Sequence, residues 1–235
     1  MDVYVPLIIT FVATLCMALL QLDSSCLMLL RREAAKKLSA GRAGILSGFF
    51  IFGLALVFIS FIFLAYLCIE IATPFLPDTR LLYIGLASVL VAVSIIIALC
   101  YYRRGAGTRL WLPRKSAHYL NDCARSLKTP LGAVFYGFES GFYELPFMIV
   151  PMLIIALELN ALTVTSDICF LVGVATLIFI LPVIRLALKF RTANWAEIQR
   201  RREKNKTLTL ISLIIFNLLL AAAVVTLKIM GVLNA

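Results

Sequence analysis

Residues 44–71 read GILSGFFIFGLALVFISFIFLAYLCIEI, with no charged side chain between Gly44 and Ile69. An apolar run of about 18 or more residues is long enough, as a helix, to cross the hydrocarbon core of a bilayer. Lipid offers the backbone no hydrogen-bond partners, so only helices and closed barrels satisfy their peptide groups there. Barrel strands alternate apolar and polar residues over short segments. This run does not alternate. It reads as a transmembrane helix.

Working outward, the chain divides into runs of the same kind. Six spans are expected, at roughly 4–30, 44–71, 81–102, 130–158, 163–188 and 207–231. Of the 235 residues, 63% are hydrophobic and only 14% charged, against about a quarter charged in a typical soluble domain. The expected class is an all-α integral membrane protein forming one polytopic domain over 1–235, with no separate soluble module. The opening Met1-Asp2-Val3-Tyr4 lacks a basic leading region, and no small-residue cleavage site follows the first run, so that run is expected to remain as helix one.

The charges between the runs set an orientation. Arg31, Arg32, Lys36, Lys37 and Arg42 follow span one; Arg103, Arg104, Arg109, Arg114, Lys115, Arg125 and Lys128 follow span three. Arg185, Lys189, Arg191, Arg200, Arg201, Arg202, Lys204 and Lys206 lie around the end of span five and before span six. Only Arg80 and Lys228 fall on the other side, with Asp2, Glu70, Asp78, Glu158 and Asp167. The positive-inside rule places the basic segments in the cytoplasm and both termini outside. The net charge of +10 then reflects orientation and contact with anionic membrane lipids. The basic stretches lack a folded reader module, so nucleic acid is not an expected partner. A cytoplasmic (inner) membrane, crossed several times, fits this pattern.

Three spans followed by three more necessarily enter the bilayer from opposite sides. That is the arrangement of a 3+3 inverted-topology repeat, here about 1–102 and 130–235 joined by the basic connector 103–129. Within the connector, Trp111, Tyr119 and several leucines among basic residues predict a short interfacial helix with Pro113 near its start. Residues 191–206, with Thr192-Ala193-Asn194 and then Trp195 and Arg200-Arg201-Arg202, predict a second headgroup-anchored connector. Either connector has a gating or partner-docking role as its alternative.

Acidic residues inside a span cost about 2.5–3.5 kcal/mol on insertion scales and invite a functional explanation. Asp23 in span one, and Glu139 and Glu144 in span four, are such residues. Asp23 stands eight residues before Arg31, or about 12 Å at helical rise, and Glu139 stands eleven after Lys128, about 16 Å, so a shared depth is expected. Span one surrounds its acid with Gln21, Ser24, Ser25 and Cys26. In span four, Gly137, Ser140, Gly141, Glu144, Met148 and Pro151 follow spacings of three and four, which places them on one helix face. Pro146 removes a backbone donor and frees the Phe142 carbonyl. A freed carbonyl beside a carboxylate describes a cation or proton site. The expected site residues are therefore Asp23, Glu144, Glu139, Ser24 and Ser140, with Pro146 and Pro151 as the hinge. The competing reading treats these polar groups as adhesive between helices. Pro182 and the glycines Gly44, Gly48 and Gly53 read as packing features.

Other chemistry is sparsely represented. Cys16, Cys26, Cys68, Cys100, Cys123 and Cys169 are scattered, without a C-x-x-C pair or a closely spaced histidine. They read as small apolar fillers, not as a zinc or redox motif. The single histidine, His118, lies in the connector. No nucleotide-binding loop is present. Neither an enzyme activity nor a cofactor is expected, and the identity of any metal is left open.

The elements Leu22-Asp23-Ser24-Ser25-Cys26 and Glu144-Leu145-Pro146-Phe147 resemble elements of a superfamily of six-span proteins. It includes the lysine-exporter-like transporters and the cytochrome c biogenesis thiol transporters. The resemblance implies a 3+3 fold with functional residues on spans one and four. Phe147 stands where some thiol-transporting relatives carry cysteine, which speaks against dithiol electron transfer, and the acidic first-span element looks more like the cation-transporting branches.

The function expected from residues and resemblance together is a secondary transporter or exporter of a cation or small solute, proton-coupled through its acids. The first alternative is a membrane assembly or scaffold protein that docks a protein partner, or a second copy of itself, on its basic face. The second is a membrane thiol-redox protein.

Overall fold

The computed structural model describes residues 4–20, 22–75, 79–101, 113–162, 164–190 and 195–230. The described chain is helical throughout, with no strand among those residues. In order, the helices are α1 (Tyr4–Ala18), α2 (Leu22–Lys37), α3 (Ala40–Ala72), α4 (Thr79–Ile96), α5 (Arg114–Ser126), α6 (Pro130–Asn160), α7 (Thr165–Lys189) and α8 (Trp195–Val224). A short 3-10 turn, Thr73–Phe75, extends α3, and wider π turns end α4 (Ile97–Tyr101) and α8 (Val225–Met230).

Five helices are individually long and apolar enough to cross a membrane: α3, α4, α6, α7 and α8. The pair α1 and α2 reaches that standard only when taken together, and the two are bent by 45°. These helices mark a multi-pass membrane protein. Their outward faces carry large exposed side chains such as Phe52, Phe63, Leu81, Phe170, Leu177 and Ile215, which suit contact with acyl chains and not with water.

α6 is the hub. Two-thirds of its membrane-length window (67%) is buried inside the bundle, against 28–33% for the other four long helices. It packs on α1, α2, α3, α4 and α5, and most extensively on α3. That contact is unusually close because glycines line it. A Cβ on Gly53 would collide with the Val134 carbonyl, and one on Gly137 with the Phe50 carbonyl. Small residues permit such backbone approach in membranes, where dispersion and not water exclusion holds helices together. Gly44 and Gly48 behave differently from expectation: a Cβ on either would meet nothing within 4 Å. They line an open groove that also includes Arg31 and Phe190, so only Gly53 of the three packs against a neighbour.

α1 packs on α6, α7 and α8; α4 packs on α6 and α8; α3 adds a face to α7, where Phe58 and Phe179 stack with centroids 4.3 Å apart. The short helix expected in the connector is present as α5, with Pro113 at its N-cap. It leans on α2 and α6 and turns Leu120 and Ala124 inward. Trp111 and Thr192-Ala193-Asn194 lie outside the described residues. Residues 195–206 are not a separate connector but the first turns of α8.

Two expectations about helix continuity are corrected. Span one, expected as a single helix over 4–30, is broken between Ala18 and Leu22. Span four, expected to hinge at Pro146 and Pro151, runs through both as one helix. Each proline forfeits one backbone hydrogen bond. Burial of Phe147, Met148, Val150, Pro151 and Met152 among neighbouring helices keeps the surrounding turns in place.

Candidate functional site

The break in span one leaves α2 with a free N-terminus inside the bundle. The first N–H groups of a helix have no partner within it, and in lipid such groups must be answered by protein. Glu144 answers one: its Oε1 accepts a hydrogen bond from the Leu22 N–H at 2.5 Å. Glu144 stands midway along α6 and is fully buried. α1 meanwhile closes with a tight turn in which the Leu20 N–H donates to the Met17 carbonyl.

Asp23 occupies the first turn of α2 and is also buried. The Ser140 hydroxyl donates to its Oδ1 at 2.7 Å and lies 3.0 Å from the Gly137 carbonyl. Glu144 holds the N–H of Leu22, the residue immediately before Asp23, and Ser140, which holds Asp23, stands one turn before Glu144 on α6, so the two carboxyls are neighbours. The partial positive charge of a helix N-terminus favours anions, so α2 presents its attractive end to both carboxyls. Three of the expected site residues (Asp23, Glu144 and Ser140) thus form one cluster, contributed by two helices far apart in sequence.

Glu139 and Ser24 do not join it. Glu139 faces the basic end of the bundle and accepts a hydrogen bond of 2.8 Å from the Tyr119 hydroxyl of α5. That bond favours the neutral phenol and pushes the Tyr119 hydroxyl above its ordinary value. The serine that meets a charged group is Ser25, one position beyond Ser24. Its Oγ lies 2.9 Å from Nη2 of Arg202, which also reaches the Met28 sulfur from α8. Pro146 and Pro151 sit in unbroken helix beside the cluster; the irregular backbone lies in span one instead.

No protein-family profile matches this chain, and neither does any curated protein or solved structure.

Two groups in and around the bundle were not anticipated as site residues. Arg202 belongs to the run of three arginines expected in a headgroup-anchored connector, yet it turns inward onto Ser25 and Met28 of α2. The second is at the opposite end of the bundle. Glu158 is fully buried and pairs with Lys228 at 2.7 Å, while its other oxygen accepts from the Tyr83 hydroxyl at 3.1 Å. The Lys228 ammonium also lies 5.9 Å from the Tyr83 ring centroid. This ion pair ties α6 to the π turn ending α8. The available signal was two opposite charges near the ends of long apolar runs, a pattern that usually marks water-facing termini.

Among the described residues, no group of three His, Cys, Asp or Glu side chains is arranged to hold a metal ion. Two carboxyls and a hydroxyl can hold a proton or a small monovalent cation. Two adjacent buried carboxyls resist simultaneous ionisation, because like charges that close repel strongly where water is excluded. A proton or cation between them removes that cost.

Proposed function

We propose that this protein is a secondary transporter of a cation or small solute, with Asp23 and Glu144 carrying the coupling proton or ion. The observation that supports this reading best is the broken first span, whose second half begins on the Glu144 carboxylate. Discontinuous spans with helix ends directed at a buried charged site are a recurring construction in secondary transporters. A purely adhesive role needs neither the break nor two adjacent acids.

The helix packing supports a 3+3 repeat within the same reading. Exchange α1–α2 for α6, α3 for α7, and α4 for α8. The α3–α6 contact then maps onto α7–α1, and α1–α8 maps onto α6–α4; all four are observed. The α1–α6, α3–α7 and α4–α8 contacts map onto themselves. In this reading α1 and α2 form one bent span, six spans cross the membrane, the basic end faces the cytoplasm, and both termini lie outside. The membrane is the cytoplasmic one. The distant resemblance to the lysine-exporter-like group fits the same arrangement, with the acids of spans one and four as its functional residues.

The proposed cycle alternates the acid pair between a shared-proton form and a form in which a cation replaces that proton. Ser140 holds Asp23 in register, and the α2 N-terminus steadies whichever negative charge remains. Arg202 supplies a positive charge on the basic side of the pair.

The test is proton and cation flux in proteoliposomes for the wild type, Asp23→Asn and Glu144→Gln, with each variant first checked for monodispersity and thermal stability. Flux that disappears in the folded variants supports the reading. Flux that survives both changes removes the acid pair as its site. A wild type that moves neither protons nor cations shifts weight to the scaffold alternative, in which the exposed Arg200 and Arg201 would be the groups to alter.

A further inference from the structure

A pocket of about 420 Å³ opens at the basic end between α5 and α6. Its walls include Cys123, Lys128, Glu139 and Tyr136, and it is polar at its rim, where Tyr119 meets Glu139. Its inner wall is different. Tyr136 is 2% exposed, and its hydroxyl is wholly buried.

Behind that wall, Ser140 stands one helical turn beyond Tyr136 on the same face of α6 and donates to Asp23, and Glu144 stands a further turn on. Cys26 of α2 is buried three residues after Asp23, on the same helix face. Phe50 of α3 supports the Tyr136 ring, with centroids 5.6 Å apart. The order along α6 is therefore pocket, Tyr136, Ser140 with its Asp23 partner, Glu144. Tyr136 stands between the open pocket and the buried carboxyls.

We propose that the α5–α6 pocket is the vestibule through which water and protons reach the Asp23–Glu144 pair, and that Tyr136 is the partition between them. The ligand class is water and the proton it carries. Tyr136 is a positioning residue: its ring closes the passage. Glu139 and Tyr119 hold α5 against α6 and so keep the vestibule in shape. The proposal rests on the transport reading for its purpose, but the passage itself can be tested without transport.

The test is modification by a charged, water-soluble maleimide of the full-length protein in nanodiscs, with the modified cysteines located by peptide mass. In the wild type Cys123 reacts and Cys26 is protected. In Tyr136→Ala the Cys26 rate rises at least about tenfold, since opening the wall admits both the reagent and the water that lets the thiol ionise. Tyr136→Phe keeps the ring and stays protected. Filling the pocket with Cys123→Trp in the Tyr136→Ala background restores protection. A folded Tyr136→Ala protein whose Cys26 remains protected overturns the proposal, as does Cys26 modification that Cys123→Trp leaves unchanged.

Should Tyr136→Ala fail to fold, Cys123→Trp alone decides the matter. Long exposure of the wild type is expected to modify Cys26 slowly; in Cys123→Trp that rate falls by about tenfold, and an unchanged rate overturns the proposal. Labelling requires no flux, so failure of the transport reading and failure of the vestibule give different results.

Discussion

At the residue scale, carboxylates inside apolar runs were readable because their cost in lipid demands a partner. Asp23 and Glu144 are legible that way, and Ser140 through the three-and-four spacing of its helix face; the three meet. Arg202 was not readable. It stands in a run of three arginines, and successive helix positions are about 100° apart, so the composition of the run does not say which member turns inward. The structure distinguishes them: Arg202 is half-buried against Ser25 and Met28, while Arg200 and Arg201 are exposed. Arg202→Ala is expected to lower stability by about 1.5–3 kcal/mol, the range for hydrogen bonds to charged groups. Arg200→Ala and Arg201→Ala should each stay within about 0.5 kcal/mol. Reversible unfolding in mixed micelles measures all three.

Glu139 makes a second prediction at this scale. Its bond to Tyr119 holds that phenol above its ordinary value, which is about 10. A group whose pKa is raised by folding contributes stability below its unfolded value and loses that contribution as pH climbs through the folded one. The Tyr119–Glu139 contribution is therefore present in full below about pH 10 and fades above it. A phenolate absorbance titration of the wild type against Glu139→Gln should show one tyrosine ionising earlier in the variant. Superimposable curves would mean the bond does not control that phenol.

At the scale of elements, local sequence misled where it was loudest. Pro146 and Pro151 signal an interruption, yet α6 continues through both. Leu19 and Leu20 signal nothing, yet they lie in the break. The reason is tertiary. The start of α2 is held by a carboxylate 122 residues away in the chain, and no local window contains it. The glycines repeat the lesson. Gly53 and Gly137 bring two backbones together, whereas Gly44 and Gly48 face open space, although the local spacing looks alike. Gly53→Ala and Gly137→Ala should each destabilise the bundle by at least about 1–3 kcal/mol through overpacking. Gly44→Ala and Gly48→Ala should be neutral or stabilising by about 0.5–1 kcal/mol, since alanine is the better helix former. Thermal unfolding of the four variants checks the contrast, and equal losses at all four positions would contradict it.

At the scale of the molecule, the class and most helix positions followed from hydropathy, because long apolar runs have few other fates. The partnering of helices did not, since apolar surface does not specify which neighbour it meets. The Glu158–Lys228 pair shows what does specify it. It joins α6 to the end of α8 inside a dry environment, where breaking a buried pair leaves one charge uncompensated. Lys228→Met is expected to cost about 3–5 kcal/mol, and adding Glu158→Gln should recover most of that loss. A double-mutant cycle on unfolding free energy gives the coupling; additive losses would mean that the two charges do not depend on each other.

The contact of Gly53 and Gly137 with facing carbonyls has a mechanical consequence. Helices separated by long side chains can slide, because rotamers take up the strain. α3 and α6 have no such bearing between them at these points; peptide rests on peptide. A joint of that kind either stays seated or comes apart as a whole. α3 and α6 therefore form a single strut, although they belong to opposite halves of the chain. Any rearrangement of the bundle must carry them together and find its slip plane elsewhere, and the α1–α2 pair, with its 45° bend, is the jointed element outside that strut.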